Sequence, residues 1–320
     1  MEKIPVIAVV GPTASGKTAL AVDIAKRYGG EVVSADSMQI YKDADIATAK
    51  PTAEEMCGVP HHLIGFLPLS EQFSVADYKR LAGECIKDIH SRGKLPVLAG
   101  GTGLYIDSLL DNIEFTEIPT DQRLRSKLQE QFKELGGEEM LKMLSQIDPE
   151  AAKGLHEKDE KRIIRAFELF TLTGETKTEQ VKKSRLNESP YNTLYIGLTA
   201  QDRGYLYDRI NRRVDVMLEK GLLEEAKEFF ASDCGSTAKQ AIGYKELLPY
   251  LKGEESLEYC IDRLKAETRH YAKRQLTWFN KNGRINWLMI DTYGSYSELL
   301  DAAFSLTDKF YKEVQNEKAE

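Results

Sequence analysis

A glycine-rich string near the amino terminus has the spacing G-x-x-x-x-G-K-[ST]. It follows the apolar run Ile4–Val10 and opens a predicted helix through Tyr28, which is the strand–loop–helix context that this motif requires. Backbone N–H groups of such a loop surround phosphate oxygens, and the helix amino terminus adds partial positive charge. Its lysine adds a full charge, and its threonine hydroxyl is a ligand for Mg²⁺. The motif therefore predicts a site for a diphosphate or triphosphate, formed by Gly11, Pro12, Thr13, Ala14, Ser15, Gly16, Lys17 and Thr18.

A carboxylate follows the second strand candidate, Glu31–Ala35, in the string Asp36-Ser37-Met38-Gln39. The carboxyl ends of strands in open α/β sheets are where such folds bind ligands. Asp36 there is either an outer-sphere partner of Mg²⁺ or a base that accepts a proton from a nucleophile. The residues after it favour recognition of a nucleic-acid base, because a glutamine amide can pair with an adenine edge and methionine can flank a base.

A third string, Gly100-Gly101-Thr102-Gly103, follows the strand candidate Leu95–Ala99. Glycines at a strand end let the backbone approach a ligand closely, and the Thr102 hydroxyl can donate to an oxygen that develops negative charge. Farther along, Arg209, Arg212 and Arg213 lie three and four residues apart on a predicted helix, so their side chains share one flank. Arg209 and Arg213 are candidates for binding a diphosphate, although pairing with neighbouring aspartates is an alternative.

The elements that must position these residues alternate between strands and helices. The strand candidates are Ile4–Val10, Glu31–Ala35, Leu95–Ala99, Leu194–Leu198 and Ile285–Ile290. They are short and apolar on both faces, which is typical of a buried parallel sheet. The helices predicted in the same part of the chain are Ser74–Ser91, Asp202–Lys220, Leu222–Ala231 and Ser256 to about Asn280. This alternation predicts an α/β fold, a doubly wound parallel sheet like that of the P-loop NTPases.

The middle of the chain differs, since residues 115–190 contain no strand candidate. Amphipathic segments succeed one another there, at Gln122–Leu135, Glu138–Ser145 and Glu160–Thr173. We therefore expect an all-helical insertion domain at 115–190, a P-loop core formed by 1–114 with 191–292, and a carboxyl-terminal tail at 293–320.

Composition limits the class of protein. The 320 residues carry a net charge of −7, yet residues 239–284 hold ten basic and six acidic side chains, which is compatible with a polyanion on one face. The four cysteines lack C-x-x-C spacing, and His61-His62 lack the spacing of a zinc site, so neither zinc nor disulfides are expected. No run reaches the 18 or more apolar residues that span a membrane. We expect a cytoplasmic monomer with no membrane contact.

Seven strings together resemble one family, the bacterial tRNA dimethylallyltransferases, also called tRNA isopentenyl transferases. The strings, in order, are GPTASGKT, DSMQIY, TAKPT, VPHHL, GGTGLY, RINRRVD and KQAIGYKE. The resemblance runs from residue 4 to about residue 290. It implies transfer of a dimethylallyl group from dimethylallyl diphosphate to N6 of adenosine 37, next to the anticodon, in tRNAs that read codons beginning with U. The products are N6-(dimethylallyl)adenosine and diphosphate, and the implied cofactor is Mg²⁺, with Thr18 as its ligand.

The resemblance also implies roles for individual residues. Asp36 is the implied general base, Thr102 lies beside the bridging oxygen of the leaving diphosphate, and Lys17 stabilises the departing charge. The helical insertion is implied to grip the anticodon stem-loop. The implied tRNA contacts are Asp36, Ser37, Met38, Gln39, Thr102, Arg125, Lys161, Arg162, Arg165, Lys239, Gln240, Ala241, Ile242, Gly243 and Tyr244.

Two positions depart from the family pattern, and three other functions stay open. Ala47 stands where the family usually has glycine, and Gly65 where an acidic residue is common; either change could reshape the prenyl pocket. A P-loop kinase for a nucleotide or small metabolite shares the loop, the sheet and the strand-end aspartate. A prenyl transferase acting on free adenine nucleotide and a non-catalytic nucleotide switch are the other two alternatives.

Overall fold

The computed structural model describes residues 3–113, 121–184, 187–235 and 237–317. The chain divides into two compact units. The core unit comprises Met1–Leu110 and Pro190–Glu320, and the helical unit comprises Asp111–Ser189. The insertion boundary predicted at residues 114–115 lies outside the described residues.

One parallel sheet organises the core unit. Its strands are β1 (Ile4–Val10), β2 (Glu31–Ser34), β3 (His61–His62), β4 (Pro96–Gly100), β5 (Tyr191–Thr199) and β6 (Ile285–Met289). Within the described residues the strand order is β3-β2-β4-β1-β5-β6, and every pairing is parallel. The predicted doubly wound α/β fold is confirmed. Five of these strands were predicted from the sequence, and β3 was not, because two residues are too few to show a periodicity.

Helices fill the connections between the strands. In chain order they are α1 (Lys17–Tyr28), α2 (Ala53–Met56), α3 (Val75–Ser91), α4 (Gly103–Leu110), α5 (Gln122–Ile147), α6 (Pro149–Lys153), α7 (Glu160–Thr173), α8 (Lys177–Ser184), α9 (Arg203–Glu219), α10 (Leu222–Ala231), α11 (Leu248–Leu251), α12 (Leu257–Phe279) and α13 (Tyr296–Glu317), with a 3₁₀ turn at Ala238–Gln240. The amphipathic prediction for α3 is confirmed, and a capping box between Ser74 and Asp77 fixes its start. None of the helices in the described residues is long and apolar enough to cross a membrane.

The core lies on both faces of the sheet. On β1, Ile7 and Val9 contribute to one apolar cluster, while Val6, Ala8 and Val10 contribute to the cluster on the opposite face. Alternate side chains of a strand point to opposite faces, so a strand buried on both sides must be apolar throughout. The position of β1 between β4 and β5 explains this sequence pattern.

Residues 293–320 contain a helix that the sequence analysis did not assign. Leu299, Ala303, Phe310 and Val314 of α13 are buried in the cluster that contains Ile7 and Val9. Their spacing of four and seven residues is helical. The segment expected to be a tail is therefore mostly a helix packed on the core unit, with a narrow apolar stripe between charged residues.

The helical unit has a core of its own. Leu128, Met140 and Leu144 of α5 pack with Ile163 and Phe167 of α7. Sequence analysis predicted two helices within the span of α5, and Gly136 interrupts it with φ 79°. A backbone with positive φ favours glycine, so the break between the two predicted segments falls at this residue. The four cysteines, all of them in the core unit, are free thiols, of which Cys234 and Cys260 are buried and Cys57 is exposed.

A buried carboxylate connects the amino ends of two strands in the core unit. Glu31 begins β2, and its side chain is 3% exposed. Arg92 binds both of its oxygens at 2.5 and 2.7 Å, Lys94 Nζ lies 2.6 Å from Oε1, and His62 Nε2 lies 2.7 Å from Oε2. Hydrogen bonds from Arg92, with smaller contributions from Lys94 and His62, hold the pKa of Glu31 well below its usual range.

Glu31→Gln should lower the free energy of unfolding at pH 7 by about 2 kcal/mol, because charge-assisted hydrogen bonds to a buried group are lost. A carboxyl whose pKa is lowered by folding stabilises the protein above its unfolded pKa of about 4.3, and this contribution is lost as the pH falls below that value. Urea denaturation at pH 7 and pH 4 measures both effects. The difference in the free energy of unfolding between wild type and Glu31→Gln should be smaller at pH 4 than at pH 7. The control is Glu84→Gln, because Glu84 forms an exposed ion pair with Arg80, and its free energy of unfolding should differ little from wild type at either pH. An equal difference at both pH values would contradict the role of Glu31.

Candidate active site

The three strings found in the sequence meet at the carboxyl edge of the sheet. The phosphate loop follows β1, Asp36 follows β2 and Thr102 follows β4, and these strands are neighbours in the sheet. They border a cavity of about 440 Å³ within the core unit. The strand-end argument thus predicted correctly where these residues lie relative to one another.

Backbone geometry shapes the phosphate loop. Gly11 has φ +141°, and a Cβ atom there would lie 2.2 Å from the carbonyl oxygen of Leu198 on β5, so only glycine fits. Ser15 Oγ donates to the carbonyl of Pro12 at 2.9 Å. From α9, Arg209 Nε donates to the carbonyl of Ala14 at 2.8 Å. Arg209 therefore contacts the loop from outside and holds its shape.

Hydrogen bonds from backbone N–H groups fix the Asp36 carboxylate and connect its loop to Thr102. Asp36 Oδ1 accepts hydrogen bonds from the N–H groups of Met38 at 2.9 Å and Gln39 at 3.3 Å. The Ser37 N–H donates to Thr102 Oγ1 at 3.0 Å. These bonds fix one oxygen of the carboxylate and place the threonine hydroxyl against the next residue of the same loop.

Positive charge is concentrated beside the phosphate loop. The pKa of Lys17 is lowered to about 7, mainly by burial and then by the charge of Arg213, while the carboxylate of Asp36 opposes the shift. Burial also lowers the pKa of Arg213, against the attraction of Asp36 and Glu55. Two cations that lose hydration near a single cavity carboxylate favour binding of an anion, which would raise the pKa of Lys17 back toward its usual value.

Another part of the cavity wall is apolar. It is lined by Ala47, Val214, Met217, Ile242 and Leu264. The same cavity thus combines a cationic part with a surface for a small hydrocarbon group. Of the two departures from the family pattern, Ala47 lines the cavity and Gly65 does not.

Most of the predicted site residues in the core unit line this cavity. They are Thr13, Lys17, Thr18, Asp36, Ser37, Met38, Gln39, Arg213, Gln240, Ala241, Ile242 and Gly243. The other members of the predicted set stand behind or beside the wall: Gly11, Pro12, Ala14, Ser15, Gly16, Thr102, Arg209, Lys239 and Tyr244. Arg213 lines the cavity, whereas Arg212 is exposed and does not line it.

Two side chains predicted to contact tRNA, those of Tyr244 and Gln39, are engaged with other parts of the protein. Tyr244 is 1% exposed, stacks on Phe229 with 4.0 Å between ring centroids, and donates to Glu225 Oε1 at 2.8 Å, so it lies in the core. Gln39 Nε2 donates to the carbonyls of Thr48 and Ala49, both at 3.2 Å. The glutamine amide is thus engaged within its own loop, which differs from the expectation that it pairs with an adenine edge.

The basic residues predicted in the helical unit fall into two groups. Arg125 and Arg165 both pair with the buried carboxylate of Glu168, at 2.8 and 3.2 Å. Lys161 and Arg162 are exposed on α7, and within the described residues neither forms an ion pair. The second group therefore keeps its charge available to a partner.

Several residues of the site were missed by the sequence analysis. On α12, Thr268, Tyr271, Arg274 and Gln275 line the cavity. Polar side chains at positions 268, 271 and 275 continue the spacing of buried Leu264 and therefore lie on the inward face of the helix. Polar residues on the inward face of a predicted helix were the signal in the sequence that could have indicated these site residues.

Glu225 of α10 is another missed residue. It accepts hydrogen bonds from the N–H groups of Asp45, Ile46 and Ala47 at 2.7 to 3.0 Å. Three backbone N–H groups directed at one carboxylate fix the loop that carries part of the apolar wall.

The protein groups fit a magnesium ion only if it is shared with a substrate. Within the described residues, no cluster of three or more histidine, cysteine or acidic side chains could hold a metal ion. The cavity wall does contain the Thr18 hydroxyl and the Asp36 carboxylate. Mg²⁺ is commonly bound by one or two protein oxygens together with substrate phosphates, and this donor set suits that arrangement.

The fold and the loop define the general class of protein. A parallel α/β sheet with a G-x-x-x-x-G-K-[ST] loop between β1 and α1 is a P-loop protein. The sequence profile described as IPP transferase matches residues 39–282. The chain belongs to the IPP transferase family.

Similar proteins agree over nearly the whole chain. A tRNA dimethylallyltransferase of Thermoanaerobacter sp. (strain X514) is 48% identical over 299 residues, covering 92% of this chain and 95% of that protein. The crystal structure of the full-length tRNA isopentenylpyrophosphate transferase of Bacillus halodurans matches with TM-score 0.74 and 44% identity, covering 99% of this chain and 100% of that one. A eukaryotic dimethylallyltransferase acting on tRNA matches with TM-score 0.80 and 30% identity, over 97% of this chain and 80% of that one.

Binding of an anion should be coupled to uptake of a proton by Lys17. The lysine pKa of about 7 must rise when an anion lies beside it, so above pH 7 binding recruits a proton, and below pH 7 the lysine is already charged. Calorimetric titration with magnesium diphosphate at pH 8, in two buffers of different ionisation enthalpy, counts the protons. Wild type should take up more protons than Lys17→Arg, whose side chain stays charged. Equal uptake by the two proteins would contradict the lowered pKa.

Proposed function

We propose that this protein transfers a dimethylallyl group from dimethylallyl diphosphate to N6 of adenosine 37 in tRNA. The observation that carries the proposal is one cavity with a cationic part at Lys17 and Arg213, a carboxylate at Asp36 and an apolar wall. Those features suit an allylic diphosphate and an amine that loses a proton. The choice of position 37, and of tRNAs that read codons beginning with U, is proposed from the family resemblance.

The phosphate loop holds the diphosphate of the donor. Its backbone N–H groups and the start of α1 surround the phosphate oxygens. Lys17 and Arg213 supply full positive charges that become more favourable as the leaving group gains negative charge. Thr18 would hold Mg²⁺ together with the substrate phosphates, and the ion, when bound, would supply further neutralisation of the diphosphate.

Bond changes in the transfer balance with no further reactant. The adenine N6 lone pair attacks C1 of the donor, the C1–O bond breaks, and the bonding electrons leave with the diphosphate. Asp36 accepts the proton that N6 releases. Because Asp36 Oδ1 is held by two backbone N–H groups, Oδ2 is the oxygen that takes this proton.

The helical unit is proposed to bind the anticodon stem. An acidic protein needs a local basic surface to bind RNA, since phosphate contacts come from clustered lysine and arginine. Lys161 and Arg162 are exposed on the same turn of α7 and meet this need. The target base must leave its stack to reach a cavity of this size, so base flipping is part of the proposal.

Asp36→Asn should reduce kcat by about 10² or more, because an amide cannot accept the proton. Binding of magnesium diphosphate should change little. Transfer is measured by mass spectrometry of the nucleosides from an unmodified tRNA transcript. The matched control is Asp43→Asn, which should leave kcat unchanged. Asp43 is an exposed residue that follows Asp36 in the same connection, and its left-handed backbone is one that asparagine adopts readily. An unchanged kcat in Asp36→Asn would remove Asp36 from the reaction.

Replacing Lys161 and Arg162 together by alanine should weaken tRNA binding and reduce the slope of log K against log salt by about 2. Replacing Lys309 and Lys312 on α13 by alanine removes the same charge from the core unit and should leave the slope unchanged. Filter binding or fluorescence anisotropy at several salt concentrations measures both. An equal slope for the first variant and the wild type would exclude this surface of α7 from tRNA binding.

A further inference from the structure

Gln275 connects two loops of the site that are far apart in sequence. The side chain is buried on the inward face of α12. Its Oε1 accepts a hydrogen bond from the Thr13 N–H at 2.8 Å, and its Nε2 donates to the carbonyl of Gly101 at 2.9 Å. One carboxamide thus joins the phosphate loop after β1 to the glycine loop after β4.

The chemistry of the two partners fixes the residue type at 275. An N–H group requires an acceptor and a carbonyl requires a donor, so the side chain must offer both. An ionised glutamate would only accept, and would place a negative oxygen against the Gly101 carbonyl. A Cβ atom at residue 101 would lie 2.1 Å from Gln275 Nε2. Glycine at 101 therefore lets the amide reach the backbone.

The two loops carry opposite sides of the proposed reaction. Thr13 belongs to the loop proposed to hold the leaving diphosphate. Gly101 directly precedes Thr102, whose hydroxyl accepts the Ser37 N–H beside Asp36. The position of the phosphate loop relative to the loop that carries Thr102 therefore depends in part on Gln275.

We propose that Gln275 is a positioning residue for the transfer, which fixes the phosphate loop relative to Thr102 and Asp36. This assignment rests on the proposed function. The residue does not take part in bond making. Its effect comes from alignment, since attack and departure must lie in line and an error of about 1 Å can reduce a rate by about 10².

The first test compares Gln275→Met with wild type under single-turnover conditions. Methionine has a similar length and keeps the packing, but it neither donates nor accepts strongly. The rate constant for transfer should fall between about tenfold and 10², while the Kd for tRNA stays within about twofold. The matched control is Gln315→Met, an exposed position on α13, which should change neither value. A rate constant within twofold of wild type, or a loss found entirely in tRNA binding, would overturn the proposal.

The second test uses the pH dependence of Gln275→Glu. A protonated carboxyl can again accept from Thr13 and donate to Gly101, and burial opposite a carbonyl should raise the pKa of this new carboxyl. The transfer rate of Gln275→Glu relative to wild type should therefore rise as the pH falls from 8.5 to 6, while the relative rate of Gln275→Met stays flat. A ratio for Gln275→Glu that stays flat or falls would contradict the pair of hydrogen bonds.

A readout without activity separates this proposal from the proposed function. Backbone amide exchange should increase in Gln275→Met at residues 11–16 and 100–103, and stay unchanged in the distant strand β6. If wild type transfers no prenyl group, the proposed function fails, and increased exchange at both loops would still support the connection. Unchanged exchange at either loop, or a uniform increase over the whole chain, would reject it.

Discussion

The rest of this site depends on one constraint, which is that two cationic side chains are buried away from water at the carboxyl edge of the sheet. Lys17 and Arg213 both have lowered pKa values because burial removes hydration from them, and Asp36 is the carboxylate of the cavity that opposes this. An arrangement of two buried cations with one carboxylate costs free energy. It becomes favourable when an anion with several charges occupies the cavity.

The supports of the site come from helices that are distant in sequence. Arg209 of α9 bonds to the phosphate loop, Glu225 of α10 holds three consecutive N–H groups of the loop at residues 45–47, and Gln275 of α12 joins the phosphate loop to Gly101. Each is a hydrogen bond from a rigid helix to irregular backbone. This division lets the loops keep glycine-dependent conformations close to the ligand, while the helices supply the rigidity that catalysis requires.

The apolar wall distinguishes this cavity from one that only handles phosphate. A phosphoryl acceptor needs polar contacts for its hydroxyl group, whereas Val214, Met217 and Leu264 suit the small hydrocarbon group of an allylic donor. In the proposed reaction the same phosphate loop binds a leaving group that departs intact. The P-loop motif alone therefore does not determine the reaction, and the residues opposite it do.

The sequence allowed the sheet and the three strand-end strings to be predicted, because apolar runs and glycine spacing are local signals. Asp36 and Thr102 could be placed together since the ends of parallel strands share one edge. Gln275 and Tyr244 could not be placed in this way. Their partners are many residues away in sequence, and whether a tyrosine faces a ligand or stacks in the core depends on packing that no local pattern records. The helix α13 was missed for a different reason, because charged residues masked its apolar stripe.

The most direct test of this account is the chemical fate of the bound diphosphate. The purified protein is incubated with dimethylallyl diphosphate, magnesium and a tRNA transcript that carries adenosine at position 37, and diphosphate release and nucleoside masses are measured together. The account predicts one diphosphate released for each adenosine 37 that gains a dimethylallyl group, and no release with a transcript that carries guanosine there. Transfer of phosphate from ATP to an acceptor, with adenosine 37 unmodified, would contradict it.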